Sequence, residues 1–168
     1  MILSGRVHRF EPNDDINTDY IISGRYKFKT EDMSELAKHV MEDISPDFAS
    51  KVEKGDIIVA GRNFGCGSSR EQAPRALKAA GVSAVVAKSY ARIFYRSSFN
   101  IGLPLIECDT DWIEDGDVVE LDLDAGVVRS TRTGKTVAAT PIPRTMQHLL
   151  DDGGLVPHLK KHGDFLLG

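Results

Sequence analysis

The chain has 168 residues, 41% of them hydrophobic and 27% charged, the balance of a soluble globular protein long enough to bury one sizeable core. A net charge of −4, with no Lys/Arg cluster standing clear of acidic neighbours, argues against a nucleic-acid-binding surface. Two cysteines, Cys66 and Cys108, are too few for a disulfide framework, an iron–sulfur cluster or a structural zinc within the chain. The start, Met1-Ile2-Leu3 followed at once by Gly5, Arg6 and His8, has no signal-peptide pattern, and no apolar run reaches bilayer-spanning length, so the chain reads as cytoplasmic.

Leu3, Val7 and Phe10 among polar neighbours predict a first strand over 2–10, ended by the turn-rich Pro12-Asn13-Asp14-Asp15. The segment from Asp15 to Ile22 is polar and then apolar, which predicts a loop entering a short strand, with Asn17 and Asp19 bonding to nearby backbone. An aromatic and basic loop, Gly24 to Lys29, precedes Thr30, an expected N-cap with Glu31 and Asp32 in the first turn. Met33, Leu36, Ala37, Val40 and Met41 are spaced for an amphipathic helix of about three turns.

After Asp56 the pattern alternates. A strand (Ile57 to Ala60), a glycine loop, a helix to Ala80, a strand (Ala84 to Ala87), a helix (Tyr90 to Phe99) and a strand (Leu103 to Glu107) predict an α/β fold with a parallel sheet core. Ligands gather at the carboxyl ends of such strands, where the glycine loop and Lys88-Ser89 would lie. Beyond Asp109, short runs starting at Val118, Gly126 and Lys135 predict antiparallel strands in a satellite layer. A helix through Met146, Leu149 and Leu150 then stops at Gly153-Gly154, and a second helical piece follows. The expected organisation is a single domain over 1–168, with an α/β core at 1–108 and the β layer with C-terminal helices at 109–168.

The loop Asn63-Phe64-Gly65-Cys66-Gly67-Ser68-Ser69-Arg70-Glu71 carries the chemistry. Glycines permit a tight turn, the first amides of a following helix lack partners, and Arg70 offers a bidentate fork, so this is a candidate anion site. The same residues also fit a capping box, Ser68 to Glu71, although Pro74 would then either kink the helix or delay its start and leave the serines on a loop. A hydrolase serine is a third reading, but the loop lacks the G-x-S-x-G elbow. Cys66 is either a small filler or, with its pKa lowered at a helix start, a reactive thiol.

Three segments together resemble the small subunit of the aconitase superfamily, the group that includes isopropylmalate isomerase and homoaconitase. They are Asp15-Ile16-Asn17-Thr18-Asp19, the run from Asn63 to Pro74, and Ala91-Arg92-Ile93-Phe94-Tyr95-Arg96 with Asn100-Ile101-Gly102-Leu103-Pro104. The resemblance implies a swivelling β/β/α domain, with a parallel sheet core flanked by helices and a C-terminal antiparallel β layer. It also implies a separate large subunit bearing a [4Fe–4S] cluster, with no cofactor or metal held by this chain.

The implied reaction is that of a hydro-lyase that moves a hydroxyl between neighbouring carbons of a hydroxy acid through dehydration and rehydration, active only with the large subunit. Interconversion of 2- and 3-isopropylmalate in leucine biosynthesis is the form expected, with homoaconitase or a dimethylmalate dehydratase as alternatives. A non-catalytic anion-binding module is the alternative from another class. By the resemblance Ser68 is the catalytic base, Arg70 grips a substrate carboxylate beside Ser69, and Asp19 is the active-site aspartate. Tyr26, Phe28 and Lys29 fall in the loop associated with substrate choice, where rings suit an apolar substituent and a lysine suits a carboxylate.

Overall fold

The computed structural model describes residues 1–27, 32–68 and 71–163. Its centre is a mixed sheet of seven strands. Strand β1 (Ile2–His8) leads, after two one-turn helices, α1 (Thr18–Ile21) and α2 (Gly24–Lys27), and the short helices α3 (Met33–Ala37) and α4 (Phe48–Lys51), to β2 (Ile57–Val59). Then α5 (Gln72–Ala79), β3 (Ala84–Ala87), α6 (Arg92–Asn100) and β4 (Leu105–Glu107) complete the parallel half. Strands β5 (Val118–Asp122), β6 (Val127–Ser130) and β7 (Thr136–Ala138) precede helices α7 (Arg144–Asp152) and α8 (Leu155–His162).

The strand order is β4-β3-β2-β1-β5-β6-β7. Every residue of β2 and β3 is buried, as continuous apolar runs in a parallel sheet require, whereas β5 and β6 alternate because one face packs and the other does not. Strand β1 joins the two halves: Val7 and His8 pair in parallel with Ile57 and Ile58, and Ile2 to Arg6 pair antiparallel with Asp122 to Val118. The three antiparallel strands expected as a satellite layer are therefore an edgewise continuation of the core sheet. Helix α5 packs on α3, and α6 packs on α5, α7 and α8.

Three local expectations give way. The first four residues of the loop expected at Gly24 to Lys29 form helix α2, where the Tyr26 amide donates to the Ser23 carbonyl at 3.0 Å. The strand expected after Asp15 is helix α1, because Asn17 caps it by accepting from the Tyr20 amide at 3.0 Å, and Ile21 and Ile22 still reach the core. The three-turn helix expected from Met33 stops at Ala37. Met41 adopts φ 59° and gives its amide to the Ile21 carbonyl, so Val40 and Met41 are buried by a turn rather than a helix. Asp32, expected in the first turn, is itself the cap, accepting from the Ser34 amide at 2.9 Å; Thr30 and Glu31 lie outside the described residues.

Candidate active site

The carboxyl end of β2 runs into a loop held on both sides. On one side the Gly61 amide donates to Asn13, Asp15 to Arg62, Gly65 to Ile16, and Thr18 to Cys66, each to the carbonyl oxygen at 2.8–2.9 Å. On the other side Phe64 donates to the Ser89 carbonyl, and the Ala91 amide donates to Phe64. The segment after β1, the glycine loop and the segment after β3 thus form one backbone unit. All three hold residues that the sequence singled out, and the third, with Ser89 and Ala91, leads into α6.

Phe64 anchors the unit from below, fully buried with its ring edge-on to Phe94 at 5.3 Å. Gly65 lies over that ring with φ +81°, and a Cβ there would sit 2.2 Å from the Phe94 Cγ. Only glycine meets both conditions. Asn63 also takes a positive φ, 59°, and its side chain donates to Asp15 at 3.0 Å.

The loop's far end opens on a cleft of about 220 Å³. Thr18, Gly65, Gly67 and Ser68 line it from the loop side, and Arg92, Ile93, Phe94 and Ser97 line it from α6. Ser68 is exposed there, while Thr18 beneath it is buried and donates from Oγ1 to the Ser68 carbonyl at 2.8 Å. Helix α5 begins only at Gln72, with Glu71 as its cap residue and no side-chain cap bond, so the capping box from Ser68 to Glu71 is not formed. Pro74 explains the delayed start: it takes the third helical position, where its missing N–H costs no intrahelical bond. The loop reading of Ser68 replaces the helix-start one.

Asp19 is exposed on α1, the helix that the Thr18 bonds fasten to the loop. Tyr26 is half-buried, stacked on His39 at 3.9 Å with the Arg25 guanidinium 5.1 Å from its ring centre. Ser69, Arg70, Phe28 and Lys29 lie outside the described residues. The sequence reading assigned no role to Thr18, Arg92 or Ser97. Thr18 and Arg92 stand inside motif segments it quoted, but only the fold reveals that they share a cleft with Ser68.

The donor set does not suit an iron–sulfur cluster, which is held by thiolates. Burial, with the Asp15 charge adding to it, pushes the Cys66 thiol up, and burial beside Asp109 and Glu107 pushes Cys108 up to about 12. Cys66 therefore lacks the lowered pKa of a reactive thiol. Among the described residues, no helix is long and apolar enough to cross a membrane.

Residues 14–110 match the aconitase C-terminal domain. Over 98% of its length the chain is 56% identical to a 3-isopropylmalate dehydratase small subunit 2 of Archaeoglobus fulgidus, and 54% identical to a small subunit 1 of the same enzyme in Thermotoga maritima, covering 98% of each relative. A crystal structure of 3-isopropylmalate dehydratase from Methanocaldococcus jannaschii superposes with a TM-score of 0.92 at 50% identity, covering 97% of this chain and 96% of that one.

Proposed function

The chain belongs to the aconitase C-terminal domain family, among the 3-isopropylmalate dehydratase small subunits, and from that premise we propose that it is the small subunit of a heteromeric hydro-lyase. The assembled enzyme interconverts 2- and 3-isopropylmalate by dehydration and rehydration in leucine biosynthesis. The observation that carries this reading is the exposed Ser68 on the rim of a cleft, with its backbone fastened to the segment that bears Asp19.

In this reading Ser68 takes the carbon-bound proton of the hydroxy acid. A serine hydroxyl is a weak base, so the step needs positive charge and oriented donors around the oxygen. Arg92 lines the same cleft, and Arg70 follows Ser68 by two positions. Arg70 with Ser69 holds a substrate carboxylate, and Asp19 is the acidic group on the facing helix. Tyr26, Phe28 and Lys29 select the substituent of the substrate.

A cleft of about 220 Å³ is smaller than the roughly 300–1,000 Å³ of complete small-molecule sites, which supports a second surface closing over it. That surface belongs to the large subunit, which carries the [4Fe–4S] cluster. The test is turnover of 2-isopropylmalate by this chain alone, by the large subunit alone and by the two mixed. Only the mixture turns over, and it prefers isopropylmalate to homocitrate-type acids. Strong activity of this chain alone, or no gain on mixing, overturns the assignment; preference for the longer tricarboxylic acid overturns the substrate.

A further inference from the structure

The last two helices bring three metal-binding side chains to one point, on α7 and α8 rather than at the Ser68 cleft. Helix α7 ends at Asp152, Gly153 and Gly154 reverse the chain, and α8 presents His158 and His162, four residues apart and so on one face. Asp152 Oδ2 lies 2.8 Å from Nδ1 of His158 and 2.9 Å from Nε2 of His162. Among the described residues, these are the three His, Cys, Asp or Glu side chains whose donor atoms all fall within 4.8 Å of one another.

We propose that Asp152, His158 and His162 bind a divalent transition-metal ion of the zinc type. Two imidazole nitrogens and one carboxylate oxygen are the borderline donors that zinc accepts, and three such ligands leave a fourth tetrahedral position to water. The cage is largely organised before an ion arrives. His158 is fully buried and the Asp152 side chain is 7% exposed, while His162, 27% exposed, leaves a path from solvent.

Lys161 is the opposing charge that the site must tolerate. Its ammonium lies 3.2 Å from Asp152 Oδ1, on the oxygen turned away from the histidines, and its side chain is 67% exposed. It either keeps its hold on that outer oxygen or swings into water when the ion enters. The bound ion would fasten α8 to the end of α7.

Calorimetric titration of the untagged, chelator-treated full chain with Zn²⁺ tests the site, alongside the visible spectrum of the Co²⁺ form. One equivalent binds, Co²⁺ gives a tetrahedral spectrum, and Zn²⁺ raises the melting temperature. His162→Ala, at a partly exposed helix end, weakens Zn²⁺ binding at least tenfold and abolishes the thermal shift; Asp152→Asn does the same. His148→Ala, on α7 but outside the group, leaves both unchanged. Absence of stoichiometric binding, or binding indifferent to His162→Ala, overturns the proposal.

Discussion

Thr18 Oγ1 donates to the Ser68 carbonyl at 2.8 Å across 50 positions of the chain. This bond fixes the backbone of the proposed base without using its hydroxyl, so Thr18 is a positioning residue. Thr18→Val keeps the shape and removes the donor. Because one neutral hydrogen bond is worth about 1 kcal/mol, urea unfolding should register a loss of about that size. In the assembled enzyme kcat should fall more than KM changes, since substrate contacts remain while the proton-accepting oxygen wanders. Equal kcat in the variant would mean that the bond serves folding only.

Ser68→Ala separates chemistry from stability. Had Ser68 capped α5, its loss would cost about 1 kcal/mol; as an exposed loop residue outside the helix, its loss should change stability by less than about 0.5 kcal/mol. Turnover of the assembled complex should nevertheless disappear. A melting curve and a dehydration assay on the same preparation check both halves, and a variant that still turns over removes Ser68 from the mechanism.

Gly65→Ala should be among the most damaging single-methyl changes in the chain. The backbone conformation, φ +81°, disfavours any side chain, and the methyl would meet the Phe94 ring. Strain and collision together should cost at least about 2 kcal/mol in urea unfolding. Phe94→Ala, a cavity-forming change, should cost about 3–5 kcal/mol in the parent protein but less in the Gly65→Ala background, where it also relieves the collision. Additive costs would show that the ring moves aside freely.

The parallel half of the sheet was readable because its signals are local. Ile57 to Val59 and Ala84 to Ala87 are unbroken apolar runs, and glycines mark the turns between them. Helix α1 was not readable as a helix, since Tyr20, Ile21 and Ile22 favour strand, and the turn is held by the Asn17 cap and by Thr18 contacts with the glycine loop that come from 48 and 50 positions away. The shortened α3 has the same origin: a carbonyl from Ile21, twenty residues upstream, captures the Met41 amide. The cysteine count spoke to thiolate-held metals and left the Asp152, His158 and His162 arrangement unseen, because its third member arrives through a reversal of the chain. Ser68 stood out by its neighbours in sequence, whereas Arg92 and Ser97 reach it only through packing.

The acid limb of stability should report on Asp117, at the junction where β1 meets β5. Its side chain is buried and takes Arg132 in a fork, Nε to Oδ1 at 2.7 Å and Nη2 to Oδ2 at 3.2 Å, with the Glu114 amide on Oδ2 at 2.9 Å. The Arg132 guanidinium holds this carboxyl below its ordinary pKa; burial opposes the shift, and the Glu114 amide reinforces it. In the unfolded chain the group titrates at about 3.9, so as pH falls toward that value the unfolded state takes up the proton first and stability falls. The advantage of the parent over Asp117→Asn should therefore be level from neutrality to about pH 5, shrink below about pH 4, and end once the folded carboxyl is itself protonated. Urea midpoints for both proteins across that range measure it. A difference that does not shrink in acid would assign the effect of Asp117 to its acceptor geometry rather than to its charge, because asparagine puts a donating NH2 in place of one of the two accepting oxygens at every pH.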